Sequence, residues 1–89
     1  MAKEKVELSD EKVRSMYLYE IAHSIRADWK KVYFGAVPYL EAMGSLRSLD
    51  DDYGMDSGRS IVQYFLANAS TWRGDIARQI KAELKRRLK

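Results

Sequence analysis

Apolar side chains recur at every fourth position near the end of the chain, at Trp72, Ile76, Ile80, Leu84 and Leu88. Most of the lysines and arginines in this segment lie between them. Side chains three or four residues apart share one face of an α-helix. The pattern predicts an amphipathic helix over about 71–88, capped by Ser70 or Thr71. Its apolar face is expected to be buried, and its basic face to lie in solvent.

The same period appears in the first third of the chain, where six apolar side chains form one stripe: Leu18, Ile21, Ala22, Ile25, Trp29 and Val32. Ser9 precedes two acidic residues and is a favourable N-cap. Gly35 can adopt the left-handed conformation that ends many helices. We therefore predict one long helix over about 10–33.

Two shorter helices are predicted in the middle of the chain. Pro38 stands where a first helical turn accepts proline, and the apolar positions after it indicate a helix over about 37–47. A further helix over about 57–68, capped by Asp56 or Ser57, is apolar on most sides. A helix with that pattern is expected to be central and buried.

The remaining segments predict loops and no sheet. Residues 48–55 contain turn-forming residues without a regular period, which indicates a loop. No segment alternates with the period of two that a half-buried strand shows. The prediction is an all-α fold, a compact bundle of about four helices (10–33, 37–47, 57–68 and 71–88). Residues 9–89 would form one domain after a flexible N-terminus at 1–8.

Composition limits how this domain can be stabilised. The chain has 89 residues, ten aromatic residues and no cysteine, so a small core must form without disulfides. Aromatic side chains bury large areas, and Trp29 and Trp72 are predicted to be buried. No apolar run approaches the roughly 18 residues that span a bilayer, and the charged start does not resemble a signal peptide. A cytoplasmic location is expected.

Charge is distributed unevenly along the chain. Residues 71–89 hold seven Lys or Arg against two Asp or Glu, a net charge of +5, whereas residues 1–70 have a net charge of −2. A row of cations can follow a phosphate backbone. Nucleic-acid binding is therefore one interpretation, through five residues: Arg78, Lys81, Lys85, Arg86 and Lys89. Membrane binding is not expected, because the apolar side of this helix is needed in the core.

The residues that could support catalysis or metal binding are sparse. The acidic segment 50–56 does not fit an EF-hand: placing Gly54 at loop position six puts Leu49 at position one and Ser60 at position twelve. His23 is the single histidine and has no second ligand nearby in sequence. No nucleophile elbow or phosphate-binding loop is present. We predict a protein without a metal or cofactor, and not an enzyme.

The segment 29–39 is dense in aromatic residues at the predicted corner between the first two helices. The aromatic side chains at such a corner point in several directions, so some of them are expected to be exposed. Tyrosine and tryptophan dominate the residues that contribute most to protein interfaces. The sequence therefore predicts a partner-binding site formed by Tyr33, Phe34 and Tyr39.

Two segments resemble a group of small proteins found on prophages and other mobile elements of Gram-positive bacteria. They are residues 28–40 (DWKKVYFGAVPYL) and 70–74 (STWRG), and the resemblance covers about residues 15–88. The resemblance implies an accessory regulator or inhibitor that acts by binding a partner, and it transfers no functional residues. The leading interpretation is a non-enzymatic, protein-binding module that acts stoichiometrically. A DNA- or RNA-binding regulator that uses the last helix is the alternative.

Overall fold

Helices form most of residues 9–89, the part of the chain that this computed structural model describes. Five α-helices follow in order: α1 Asp10–Ser15, α2 Leu18–Asp28, α3 Val37–Met43, α4 Gly58–Ala67 and α5 Asp75–Leu88. A short 3-10 turn, Phe34–Ala36, leads into α3, and a hairpin of β1 Asp52–Tyr53 and β2 Asp56–Ser57 leads into α4. The predominantly helical prediction is confirmed. The expected four helices and the absence of a sheet are wrong, and segment 1–8 lies outside the described residues.

The predicted long helix over 10–33 is two helices followed by an irregular segment. The chain becomes extended at Met16, where ψ is 141°. The backbone N–H of Leu18 then donates a hydrogen bond of 2.9 Å to the carbonyl of Arg47, which lies beyond α3. A continuous helix would have used that N–H internally. The break therefore ties the start of α2 to a distant segment.

The second helix ends at Asp28, well before the stop predicted at Gly35. Trp29 is the first non-helical residue, although its N–H still donates 2.7 Å to the carbonyl of Ile25. The Asp28 carboxylate accepts a hydrogen bond of 2.8 Å from the indole of Trp72. This contact brings the end of α2 against the segment before α5. Gly35 lies inside the 3-10 turn and does not end the helix.

The hairpin occupies part of the segment predicted as a loop, and α3 ends earlier than the predicted boundary at 47. Pro38 lies in the first turn of α3, as predicted. Gly54 has a φ of +62° at the first position of a two-residue hairpin connection, which needs that backbone conformation. Each strand contains two residues, too few to show an alternating pattern. This is why the sequence predicted no sheet.

The helix caps agree with prediction at two of three positions. The side chain of Ser9 accepts a hydrogen bond of 3.1 Å from the N–H of Lys12. The side chain of Ser57 accepts one of 3.1 Å from the N–H of Ser60. The prediction that Ser70 or Thr71 caps the last helix is wrong, because α5 begins at Asp75 after Gly74. The intervening residues form turns that fold the side chain of Trp72 back into the core.

Three aromatic rings form the centre of the core. Trp29 and Trp72 stack with ring centroids 5.8 Å apart and planes 12° apart, and Phe65 of α4 meets both rings edge-on. Trp29 and Trp72 are 7% and 2% exposed, so their predicted burial is confirmed. Fully buried residues from four helices surround them, including Leu18, Ile21, Ile25, Leu40, Met43, Val62, Ile80 and Leu84.

Candidate functional site

Phe34 is the most exposed aromatic side chain among residues 9–89, with 79% of its surface accessible. It begins the 3-10 turn, and Ala36 in the same turn is fully buried. The ring of Tyr33, itself 43% exposed, lies 4.9 Å from the Phe34 ring. The turn therefore presents two adjacent aromatic rings on a backbone that is fixed to the core.

Gly35 allows the Tyr33 ring to lie against the backbone. A Cβ atom at this position would be 2.5 Å from Cε2 of Tyr33 and 2.9 Å from Oδ1 of Asn68. Both distances are shorter than a Cβ atom normally shows, so a larger residue would displace the end of the Tyr33 or Asn68 side chain. Glycine thus permits this close approach, and Tyr33 lies next to the C-terminal end of α4.

The aromatic rings continue across α4. Asn68 donates 2.9 Å to the carbonyl of Tyr64, and the Tyr64 ring lies 5.4 Å from the ring of Tyr39 on α3. Tyr64 is 53% exposed, whereas Tyr39 is half-buried. We call the four side chains Tyr33, Phe34, Tyr39 and Tyr64 the aromatic surface. The three predicted partner-binding residues belong to two ring pairs, Tyr33 with Phe34 and Tyr39 with Tyr64, and Asn68 lies near both pairs.

Sequence reasoning missed Tyr64 because it treated its helix as apolar on most sides. The buried residues of α4 are Gly58, Ile61, Val62 and Phe65, which form a single stripe. Tyr64 falls outside that stripe when the helical period is counted from Gly58. The phase of this stripe was the available signal. The prediction of a central, buried helix holds for one side of α4 and is wrong for the side that carries Tyr64.

Charged side chains are absent from the two segments that form the aromatic surface. Residues 32–40 and 60–71 contain no Asp, Glu, Lys, Arg or His, although 33% of the chain is charged. Helices α3 and α4 pack against each other, so the two uncharged segments are neighbours. Depletion of charge with enrichment of aromatic residues is the composition of the central part of a protein interface.

The five cations predicted to bind nucleic acid lie on or just after α5, and three of them have partners within the chain. Arg78 pairs with Asp75, and Arg86 Nη2 lies 2.6 Å from a carboxylate oxygen of Glu83. The side chains of Lys85 and Lys89 are exposed and make no ion pair or hydrogen bond within residues 9–89. Of the five predicted cations, Lys85 and Lys89 therefore remain free of such contacts within residues 9–89.

Lys81 was predicted on the solvent face and is instead half-buried. Its Nζ donates 2.7 Å to the backbone carbonyl of Trp72 and lies 5.8 Å from the centre of the Trp72 ring. Burial lowers the pKa of Lys81, and the nearby charges of Lys85 and Arg73 lower it further. This lysine holds the turn before α5, and the assignment to a free basic face is wrong for it.

Arg87 has a structural role that sequence reasoning did not identify. Its Nη2 donates hydrogen bonds of 2.9 Å to the carbonyls of Val13 and Met16, at the C-terminal end of α1. Its Nε donates 2.7 Å to Glu83, a charged residue that is only 6% exposed. Cations are favourable at helix C-termini, so Arg87 fastens α1 to α5. No sequence pattern indicates this contact, because the partners are about seventy positions apart.

The acidic segment and His23 are placed apart from the aromatic surface. The carboxylate of Asp51 accepts a hydrogen bond of 2.8 Å from the backbone N–H of Arg47. Asp52 and Asp56 lie on the two strands of the hairpin. His23 is exposed on α2, in a groove that Met16 and Tyr19 also line. Within residues 9–89 no three His, Cys, Asp or Glu side chains are arranged to hold a metal ion.

Comparison with known proteins found no protein-family model, curated protein or solved structure that matches this chain. Among the described helices, none has the length and apolar character needed to cross a membrane. The function is therefore inferred from the aromatic surface and the basic residues of α5.

Proposed function

We propose that this protein is a non-enzymatic binding module that binds another protein stoichiometrically through the aromatic surface. The observation that carries the proposal is the exposure of Phe34, fixed beside Tyr33 in a region without charged side chains. A role as an accessory or regulatory protein of a mobile element, acting in the cytoplasm, completes the proposal. That part rests on the resemblance of segments 28–40 and 70–74.

The energetics favour burial of this surface against a partner. Removing an exposed phenylalanine side chain from water contributes about 2 kcal/mol. Ring contacts already orient Tyr33 and Tyr64, so less side-chain entropy is lost on binding than for free side chains. The tyrosine hydroxyls can pair with polar groups of a partner, which suits an interface more than a folded core.

The surroundings of the aromatic surface support binding more than catalysis. Proton transfer and nucleophilic attack need several titratable groups that converge on one pocket. Apart from tyrosine hydroxyls, segments 32–40 and 60–71 contain no ionisable side chain. A surface of this kind can recognise a protein by shape and apolar contact.

The nucleic-acid alternative has less support. Arg78 and Arg86 already form ion pairs with Asp75 and Glu83, and Lys81 is directed to the backbone of Trp72. Phosphate binding at these positions would have to compete with the existing contacts. Lys85 and Lys89 remain as exposed cations, and two charges give a weak, salt-sensitive attraction.

Photo-crosslinking tests the proposal directly. A photoreactive phenylalanine analogue at position 34 should form a discrete protein adduct in native host cells. The matched control carries the analogue at Tyr53, which is 46% exposed on the hairpin and lies outside the aromatic surface. Adducts at position 34 that are missing at position 53 support the proposal. Equal labelling from both positions, or no protein adduct from position 34, would reject it.

A further inference from the structure

The exposed side of α4 has the composition of an interface. Four positions at helical spacing lie away from the buried stripe and carry no charge: half-buried Ser60 and the exposed residues Gln63, Tyr64 and Ala67. The exposed charged residue of α4 is Arg59, in its first turn, and the Arg59 side chain donates a hydrogen bond of 2.7 Å to the carbonyl of Leu88. A helix side that faces solvent ordinarily carries charged residues. The exposed side of α5 does so, at Arg78 and Lys85. The side of α4 that faces away from its own core is thus suited to contact another uncharged surface.

The polar groups at these four positions can both donate and accept hydrogen bonds. This holds for the hydroxyl of Ser60, the amide of Gln63 and the hydroxyl of Tyr64. In a two-fold symmetric interface each group meets its own copy or a close neighbour. A charged group would meet a like charge there, whereas a group that donates and accepts can pair with itself. A partner with charged residues would instead bury them unpaired.

We propose that the partner of the aromatic surface is a second copy of this chain, with α4 packed antiparallel against its equivalent and Tyr64 near the two-fold axis. This inference rests on the proposed function and names its partner. Ser60 and Ala67 are small and lie about one helical turn on either side of Tyr64. They leave space for the Tyr64 ring of the second copy. Within each copy, the contact with Tyr39 holds the Tyr64 ring in position.

The exposed area agrees with a dimer interface. Tyr33, Phe34 and Tyr64 are 43%, 79% and 53% exposed. At about 200 Å² for each side chain, they offer roughly 350 Å² per copy. A standard interface buries about 800 Å² per partner, so these three side chains supply nearly half of that area. Exposed uncharged neighbours, including Pro38, Gln63 and Ala67, extend the same surface.

Sedimentation equilibrium of the full chain tests the inference, with Tyr64→Arg as the variant. The substitution places like charges across the two-fold axis, so we expect the dimer to dissociate at least tenfold more readily. Tyr53→Arg is the matched control, since Tyr53 is exposed to a similar extent on the hairpin, and it should associate like the parent. Circular dichroism and thermal melting establish that both variants remain folded.

Opposite charges at Gln63 test whether the α4 helices of two copies face each other. Gln63→Glu and Gln63→Lys should each weaken the dimer, and an equimolar mixture should associate more tightly than either variant alone. A parent that stays monomeric at every accessible concentration would overturn the inference, as would a dimer that Tyr64→Arg leaves unchanged. If a monomeric parent still crosslinks another protein from position 34, the inference fails and the proposed function stands. If position 34 crosslinks neither a second copy nor any other protein, the proposed function itself fails.

Discussion

The indole N–H of Trp72 donates a hydrogen bond of 2.8 Å to the carboxylate of Asp28, and this bond joins the segment before α5 to the end of α2. It also holds Trp72 in position to stack on Trp29. The end of α2 and the position of the 3-10 turn after it therefore depend on a contact between residues far apart in sequence. The presentation of Phe34 depends in turn on that turn.

Removal of this contact is expected to destabilise the domain. Asp28→Ala leaves the indole N–H of a buried tryptophan without its partner, which costs about 1–3 kcal/mol. Trp72→Ala also removes the stacked ring and is expected to cost about 3–5 kcal/mol. Glu41→Ala, at an exposed position of α3, is the control and should change little. Urea denaturation measures all three, and equal midpoints for Asp28→Ala and Glu41→Ala would contradict the assigned role of the bond.

Arg87 is expected to matter more for stability than Arg86, although both bind Glu83. Arg87→Met removes the guanidinium donor from the carbonyls of Val13 and Met16 and frees α1 from α5. We expect a loss of about 2–3 kcal/mol for Arg87→Met, since a charged hydrogen bond contributes about 1.5–3 kcal/mol. Arg86→Met, at a largely exposed position, should lose much less, because surface ion pairs contribute little to stability. Hydrogen exchange should show α1 opening locally in the Arg87 variant, and similar losses in both variants would disagree with this assignment.

Acid sensitivity should depend on Glu83. The hydrogen bond from Arg86 lowers the pKa of Glu83 below its ordinary value of 4.5, Arg87 lowers it further, and burial opposes both effects. The unfolded chain binds this proton more readily, so the contribution of Glu83 to stability is fully present above pH 4.5 and is lost as the pH falls through the lower, folded pKa. The melting temperature of the parent should therefore fall more steeply below pH 4.5 than that of Glu83→Gln. Parallel curves for the two proteins would remove Glu83 as the cause.

The local helical signals were readable from the sequence, whereas the helix boundaries set by long-range contacts were not. The caps at Ser9 and Ser57 and the burial of Trp29 and Trp72 follow from side-chain chemistry and spacing. The break after α1 depends on the bond from Leu18 to Arg47. No periodicity within 10–33 indicates a partner that lies beyond α3.

The aromatic surface likewise combines residues that the sequence indicated with one that depends on long-range packing. Tyr33, Phe34 and Tyr39 are close in sequence, and their density indicated an exposed aromatic group. Tyr64 joins them only because α3 packs on α4, which a single helical pattern does not show. Conversely, the cations of α5 looked like one free row, because the pattern could not show that Lys81 is directed to the carbonyl of Trp72.

Charge reversal on α5 should separate exposed cations from structural ones. Lys85→Glu should shift the free energy of unfolding by less than about 0.5 kcal/mol, because Lys85 lies in solvent. Lys81→Glu should be more destabilising, since it removes the donor to the Trp72 carbonyl and the cation beside the ring. Thermal melting checks the difference. In the same series the parent should bind duplex DNA weakly and lose that binding as salt rises, and tight, sequence-selective binding at physiological salt would favour the nucleic-acid alternative.

The central claim is that the aromatic surface binds protein, and affinity capture with matched variants tests it most directly. The immobilised parent and its Phe34→Asp variant should be compared with Tyr53→Asp, which places the same charge at an exposed aromatic position on the hairpin. We predict that Phe34→Asp loses the captured protein, whether a second copy or another chain, while Tyr53→Asp retains it. Capture should also persist at high salt, because the surface carries no charged side chain. Equal capture by Phe34→Asp and the parent, or capture that high salt abolishes, would contradict the claim.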